Sequence, residues 1–93
     1  MNDLVPSEFF LSQNYPNPFS EKTTIKFCVA FKTKVRLEVF DSESKMIKKL
    51  LDEEKEAGTY EIEFSASGLP EGIYFYKLQA GDYLSTKKML IMK

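Results

Sequence analysis

Histidine is absent from this 93-residue chain, and cysteine occurs once, at Cys28. Without histidine, Ser-His and Cys-His activation of a nucleophile is unavailable, and Cys28 has no evident base. The His and Cys ligand spacings of zinc sites are missing for the same reason, which leaves carboxylates as the sole candidate metal ligands. One cysteine forms no intrachain disulfide, so cysteine usage does not reveal the redox compartment. An excess of one charge is lacking too: 13 Lys and Arg stand against 14 Asp and Glu, net charge -1. A nucleic-acid surface would carry a strong basic excess. No apolar run approaches the roughly 18 residues of a membrane helix, and Met1-Asn2-Asp3-Leu4 has neither the basic start nor the apolar middle of a signal peptide. No Gly-rich phosphate loop is present. A chain this short makes one small domain that buries roughly 60–65% of its unfolded surface, too little for a deep catalytic cleft. Glu61 and Glu63 stand at same-face strand spacing, not across such a cleft, which argues against glycoside hydrolysis. The expectation is a domain that is not an enzyme, with no cofactor, no metal and no nucleic-acid partner, either cytoplasmic or cut from a longer exported chain.

What the chain does have is alternation of period two. Ile25, Phe27, Val29 and Phe31 share one parity while Thr24, Lys26, Cys28 and Ala30 share the other, as in a strand with one buried face. Val35, Leu37 and Val39 alternate with Arg36 and Glu38, and Tyr60, Ile62 and Phe64 alternate with Thr59, Glu61 and Glu63. Lys45 to Leu51 reads as a strand because turn-forming Asp41-Ser42-Glu43-Ser44 precedes it, although its apolar spacing also suits a short helix. Asp52-Glu53-Glu54-Lys55-Glu56 reads as a solvated loop, with a calcium site the weaker alternative. Gly72 launches Ile73-Tyr74-Phe75-Tyr76-Lys77-Leu78, apolar on both parities at its start and so expected to be covered on both faces or to show rings to a partner. Ala80-Gly81-Asp82 predicts a short hairpin turn before a last strand from about Tyr83 to Met92. Short strands at roughly ten-residue spacing predict an all-β fold, an immunoglobulin-like antiparallel β-sandwich of about seven strands.

Two segments stand apart from this pattern. Tyr15-Pro16-Asn17-Pro18-Phe19 fixes φ at two prolines and bars helix, which makes a rigid, extended lead into the fold. It reads either as a recognition knob or, more in keeping with proline's effect on sheets, as a stop to sheet extension whose aromatics staple the segment to the core. At the other end, Lys87, Lys88 and Lys93 offer ammonium groups to an acidic partner, while Met89, Leu90, Ile91 and Met92 offer apolar contact or strand pairing. By pattern alone that ribbon reads equally well as a last strand with core residues and solubilising lysines.

Taken in order, Val5-Pro6, Phe10-Leu11, Gln13 to Phe19 and Thr23-Thr24-Ile25, then Val35 to Asp41, Ala57-Gly58, Ser67 to Leu78 and Lys87 to Lys93 resemble the C-terminal sorting domain of type IX secretion, found on exported proteins of Bacteroidetes. The resemblance runs from about Val5 to Lys93. It implies an immunoglobulin-like sandwich over residues 11–93, behind a linker of residues 1–10 that leads from an N-terminal cargo domain. It further implies recognition by type IX outer-membrane components, export through the periplasm to the cell surface or beyond, and removal of the tail by a sortase-like cysteine peptidase. The recognition residues it points to are Lys87, Lys88, Met89, Leu90, Ile91, Met92, Lys93, Tyr15, Pro16, Asn17, Pro18, Gly72 and Tyr74. The chain departs from the family where Ser44 stands in a turn that often carries glycine, and where Ser20-Glu21-Lys22 replaces an Asn-Pro-Ser-like continuation.

Two other functions fit a small sandwich. A carbohydrate-binding accessory module requires that some of Tyr60, Tyr74, Phe75, Tyr76 and Tyr83 form an exposed flat platform. A structural module like the immunoglobulin-like part of flagellar hook-capping proteins requires self-assembly and a flagellar parent chain.

Overall fold

The computed structural model describes residues 7–93. Residues 1–6, which include Val5-Pro6 and the first part of the expected linker, lie outside the described residues. The described chain forms strands β1 (Phe10–Leu11), β2 (Lys22–Val29), β3 (Thr33–Phe40), β4 (Met46–Lys55), β5 (Gly58–Ser65), β6 (Gly72–Ala80) and β7 (Tyr83–Ile91). They pair antiparallel in two sheets, ordered β1-β2-β5 and β4-β3-β6-β7. Because the chain changes sheet after β2, β4 and β5, the wiring is that of an immunoglobulin-like sandwich, as the alternation predicts.

One parity of each strand supplies the core. Ile25, Phe27 and Val29 of β2 and Phe64 of β5 face Val35, Leu37 and Val39 of β3, Tyr74, Tyr76, Leu78 and Ala80 of β6, and Met89 and Ile91 of β7. Burial of one such large side chain contributes about 1.5–3 kcal/mol before ordering entropy is counted. Tyr60 and Ile62 share the inward parity of β5 but are only half-buried, because β5 is an edge strand.

Two expectations are corrected, for Phe31 and for Asp52 to Lys55, and of the two alternatives for β6 the one with both faces covered is ruled out. Phe31 lies past the end of β2 and is 61% exposed, its ring edge-on to Phe9 at 4.9 Å. Strand β6 is buried on one face only: Ile73, on the opposite parity from Tyr74 and Tyr76, is 45% exposed. Asp52-Glu53-Glu54-Lys55 is strand, not loop, because β4 runs on to pair Asp52 with Arg36 and Glu54 with Lys34. An edge strand tolerates such charges, since they reach water while the backbone keeps its ladder. A hydrogen bond from Lys49 at 3.2 Å holds the Asp52 carboxyl below its ordinary range, aided by Lys34.

The turns set register. Asp41 Oδ1 accepts the backbone N–H groups of Glu43 and Lys45, both at 2.9 Å, which closes the β3–β4 hairpin with Ser44 at φ 68°. Gly81 opens the two-residue β6–β7 loop at φ 60°, a conformation that a side chain resists.

Candidate functional site

The leading and closing segments, about seventy residues apart in sequence, are joined in space. Ser12 donates its backbone N–H to Lys26 of β2, and Tyr15 exchanges two backbone hydrogen bonds with Thr24. The chain then crosses to the other sheet, where Phe19 donates to Leu90 O at 3.1 Å and accepts from Met92 N at 2.9 Å. Gln13 Nε2 donates to Lys88 O at 2.6 Å, and Asn17 Oδ1 accepts from Leu90 N at 2.9 Å. Residues 12–19 therefore close one side of the sandwich and occupy the outward backbone groups of β7 between Lys88 and Met92.

A small polar network shapes that crossing. Asn14, 2% exposed, donates through Nδ2 to Thr23 Oγ1 at 3.0 Å and to Pro16 O at 3.2 Å, and the Thr23 hydroxyl donates to Pro16 O at 2.8 Å. The Tyr15-Pro16 and Asn17-Pro18 peptides are both cis. Phe19 fills the role of staple, 4% exposed with its ring edge-on to Phe64. Tyr15 does not: it is 80% exposed, and Pro16, Asn17 and Pro18 are exposed beside it. Ser12 O accepts the buried Tyr76 hydroxyl at 2.6 Å, and burial pushes the Tyr76 pKa up to about 12.

Strand parity sorts the closing ribbon. Met89 and Ile91 point into the core, and Lys87 shares their parity, half-buried at the margin. Lys88, Leu90 and Met92 point outward, Met92 with 55% exposure. Lys93 is tethered: its backbone N–H donates to Glu71 Oε1 at 3.0 Å and its ammonium to Ala66 O at 2.9 Å. Tyr74 is buried, and its hydroxyl donates to Pro70 O at 2.7 Å, four residues upstream at the corner before β6. That is the tyrosine corner of immunoglobulin-like domains. Gly72, at φ 150°, starts β6 opposite Ile91.

The register puts further residues beside the outward ribbon. Ile73 lies opposite Leu90, Phe75 lies between Lys88 and Phe40, and Phe40 lies opposite Met46. Lys77 Nζ sits 5.2 Å from the Phe40 ring centre. The outer face of the four-stranded sheet thus carries an apolar patch of Met46, Phe40, Phe75, Ile73, Leu90 and Met92, edged by Lys77 and Lys88. A cleft of about 490 Å³ adjoins it, between Asp41–Ile47 and Leu69–Tyr74. The outer face of the other sheet is different in kind, with Lys22 and Lys26 paired to Glu63 and Glu61 at 3.9 and 3.4 Å. Phe40 and Met46 carry no reading as a partner surface in the sequence, whereas Ile73 and Phe75 belong to the run expected to be covered on both faces or to show rings to a partner; what unites the four is their common outward parity. The rings required for a sugar platform do not assemble: Tyr60, Tyr74, Tyr76 and Tyr83 share the inward face, and Phe75 lies on the opposite one.

Wiring, tyrosine corner and one-sided apolar exterior define an immunoglobulin-like β-sandwich domain. Among the described residues no group of three His, Cys, Asp or Glu is placed to hold a metal ion. The chain belongs to the secretion-system C-terminal sorting domains, the sorting domains of type IX secretion, whose family model matches residues 13–92. That family is not an enzyme family. The match spans both the leading segment and the outward-facing end of β7. No curated protein matches the chain.

Proposed function

We propose that this domain is the export address of a longer protein. Outer-membrane components of the type IX machinery read it, and the cargo attached at its N-terminal side travels through the periplasm to the cell surface or beyond. The observation that best supports this reading is the apolar patch on the outer face of β6 and β7, formed in part by the very residues that carry the family resemblance. A contiguous apolar patch on one face of a small sandwich is the mark of a partner surface, while the Lys–Glu rows of the other sheet suit water. Being folded, the domain offers Ile73, Leu90 and Met92 at no further ordering cost, and Lys88 adds attraction to an acidic receptor. A sortase-like cysteine peptidase that removes the tail would act on chain preceding the sandwich, since within it the backbone is held in ladders.

The test fuses residues 1–93 to a periplasm-directed fluorescent protein in a host with the type IX machinery. Fluorescence is expected in the medium or on the cell surface, and a Leu90→Asp, Met92→Asp variant that still folds is expected to remain in the periplasm. Retention of the unsubstituted fusion would refute the export reading; export of the folded double variant would refute this patch as its recognition surface.

A further inference from the structure

The sandwich is guarded unevenly along its edges. From Lys88 onward the β7 edge is occupied by Gln13, Asn17 and Phe19, which leaves only its short stretch before Lys88 open, and β4 is interrupted by two register shifts against β3. Such bulges bend an edge strand away from pairing. Strand β5, by contrast, pairs residue for residue with β2 from Lys22↔Ser65 to Val29↔Gly58, and among the described residues no strand lies on its other side. Among the described residues it is the one edge left straight and unpaired over its full length.

The direction of its free backbone groups follows from the ladder. Thr24 exchanges hydrogen bonds with Tyr15, and Lys26 O accepts from Ser12, so these β2 residues turn their peptide groups away from β5. In an antiparallel pair hydrogen-bonded and non-bonded positions alternate, so Ile25 and Phe27 bond Ile62 and Tyr60. Thr59, Glu61 and Glu63 then direct their N–H and C=O groups outward. The exposed carboxylates of Glu61 and Glu63 lie along that edge, each met from the β2 side by Lys26 or Lys22, and half-buried Tyr60 and Ile62 line its inward side with Leu50 and Leu51 of β4 packed against the same core.

We propose that the β5 edge is a docking site for an extended segment of another polypeptide with basic and apolar residues in alternation. The guest strand adds to the β1-β2-β5 sheet, its backbone bonding Thr59, Glu61 and Glu63, its basic side chains beside the two glutamates, and its apolar ones over Tyr60 and Ile62. Charge complementarity selects this occupant. The domain already shows the chemistry on the other flank of β5, where Lys22 and Lys26 meet Glu63 and Glu61 while Ile25 and Phe27 point inward. Those pairs are more than half exposed, so each carboxylate retains acceptor sites for a second cation. A second copy pairing β5 against β5 would bring four glutamates together, which disfavours self-association here. This site rests on the fold alone and stands whether or not the export reading does.

Amide hydrogen exchange on the 93-residue protein tests it, with an eight-residue peptide alternating lysine and valine as the probe. The expected result is slowed exchange at Thr59, Glu61 and Glu63, three amides that exchange freely without peptide, with little change at Tyr60, Ile62 and Phe64. A matching glutamate–valine peptide is expected to give no slowing. In the Glu61→Gln, Glu63→Gln variant, whose ladder to β2 is untouched, the lysine peptide should bind about three- to tenfold more weakly and with less salt dependence. Three results would overturn the proposal: no slowing at the three amides at millimolar peptide, equal slowing by both peptides, or slowing that maps to Leu84 and Thr86 of β7 instead.

Discussion

The side-chain oxygen of Asn17 accepts the backbone N–H of Leu90 at 2.9 Å and so fastens the proline-rich lead of the chain to its closing strand. Asn17 is exposed, yet its acceptor replaces the strand partner that an edge residue lacks. Asn17→Ala is expected to cost about 1 kcal/mol in urea unfolding and to speed exchange of the Leu90 amide. Asn17→Asp, which keeps an acceptor at that place, should restore most of the stability. Equal loss in both variants would show that the contact depends on something other than the acceptor.

Inward and outward residues of the closing ribbon should separate cleanly. Met89→Ala and Ile91→Ala each delete a fully buried side chain and are expected to cost about 2–5 kcal/mol. Leu90→Ser and Met92→Ser, on the solvent face, should leave the unfolding free energy within about 0.5 kcal/mol of wild type while changing export of a fused reporter. A large stability loss from Met92→Ser would place that side chain in the core.

Ser44 and Gly72 give a pair of opposite sign. Ser44 holds φ 68° without being glycine, in the turn where the family often has one. Relief of roughly 1–2 kcal/mol of left-handed strain, set against roughly 0.5–1 kcal/mol of added chain entropy, predicts that Ser44→Gly raises stability by about 0.5–1 kcal/mol. Gly72→Ala should lower it by about 1–3 kcal/mol, because φ 150° strains any side chain even though a Cβ there would meet no atom within 4 Å. Thermal melts of the two variants check both signs.

Much of the sandwich is legible in the sequence because one-sided burial writes itself as period two, as in Ile25-Phe27-Val29 and Val35-Leu37-Val39. The pattern fails where another force decides. Phe31 keeps the parity of β2, but the strand has ended and the ring packs on Phe9 instead. Asp52 to Lys55 look like a loop by charge, yet β3 offers them a ladder and cross-strand cations. In Met89-Leu90-Ile91-Met92 all four residues are apolar, so alternation exists but its inward phase is invisible. That phase is set by pairing of Ile91 with Gly72 and by the bridge from Phe19. The union of the two end segments is likewise hidden, since Gln13 and Asn17 signal their strand partners only once the fold has brought them near.

Stability should fall at alkaline pH through one buried phenol. Tyr76 is fully buried and donates to Ser12 O, and burial raises its pKa to about 12, the hydrogen bond at Asn14 opposing the shift. In the unfolded chain the phenol titrates near an ordinary value of about 10, so between those two values the native state holds a proton that the unfolded state has lost. The contribution is therefore complete below about pH 10 and is lost as pH rises towards 12, about 2–3 kcal/mol in all by the linkage relation. Tyr76→Phe removes the titration: it should cost about 1 kcal/mol at neutral pH through the lost bond to Ser12, yet flatten the alkaline decline. Urea midpoints measured from pH 8 to 12 for both proteins check it, and parallel curves would show that other groups govern alkaline unfolding.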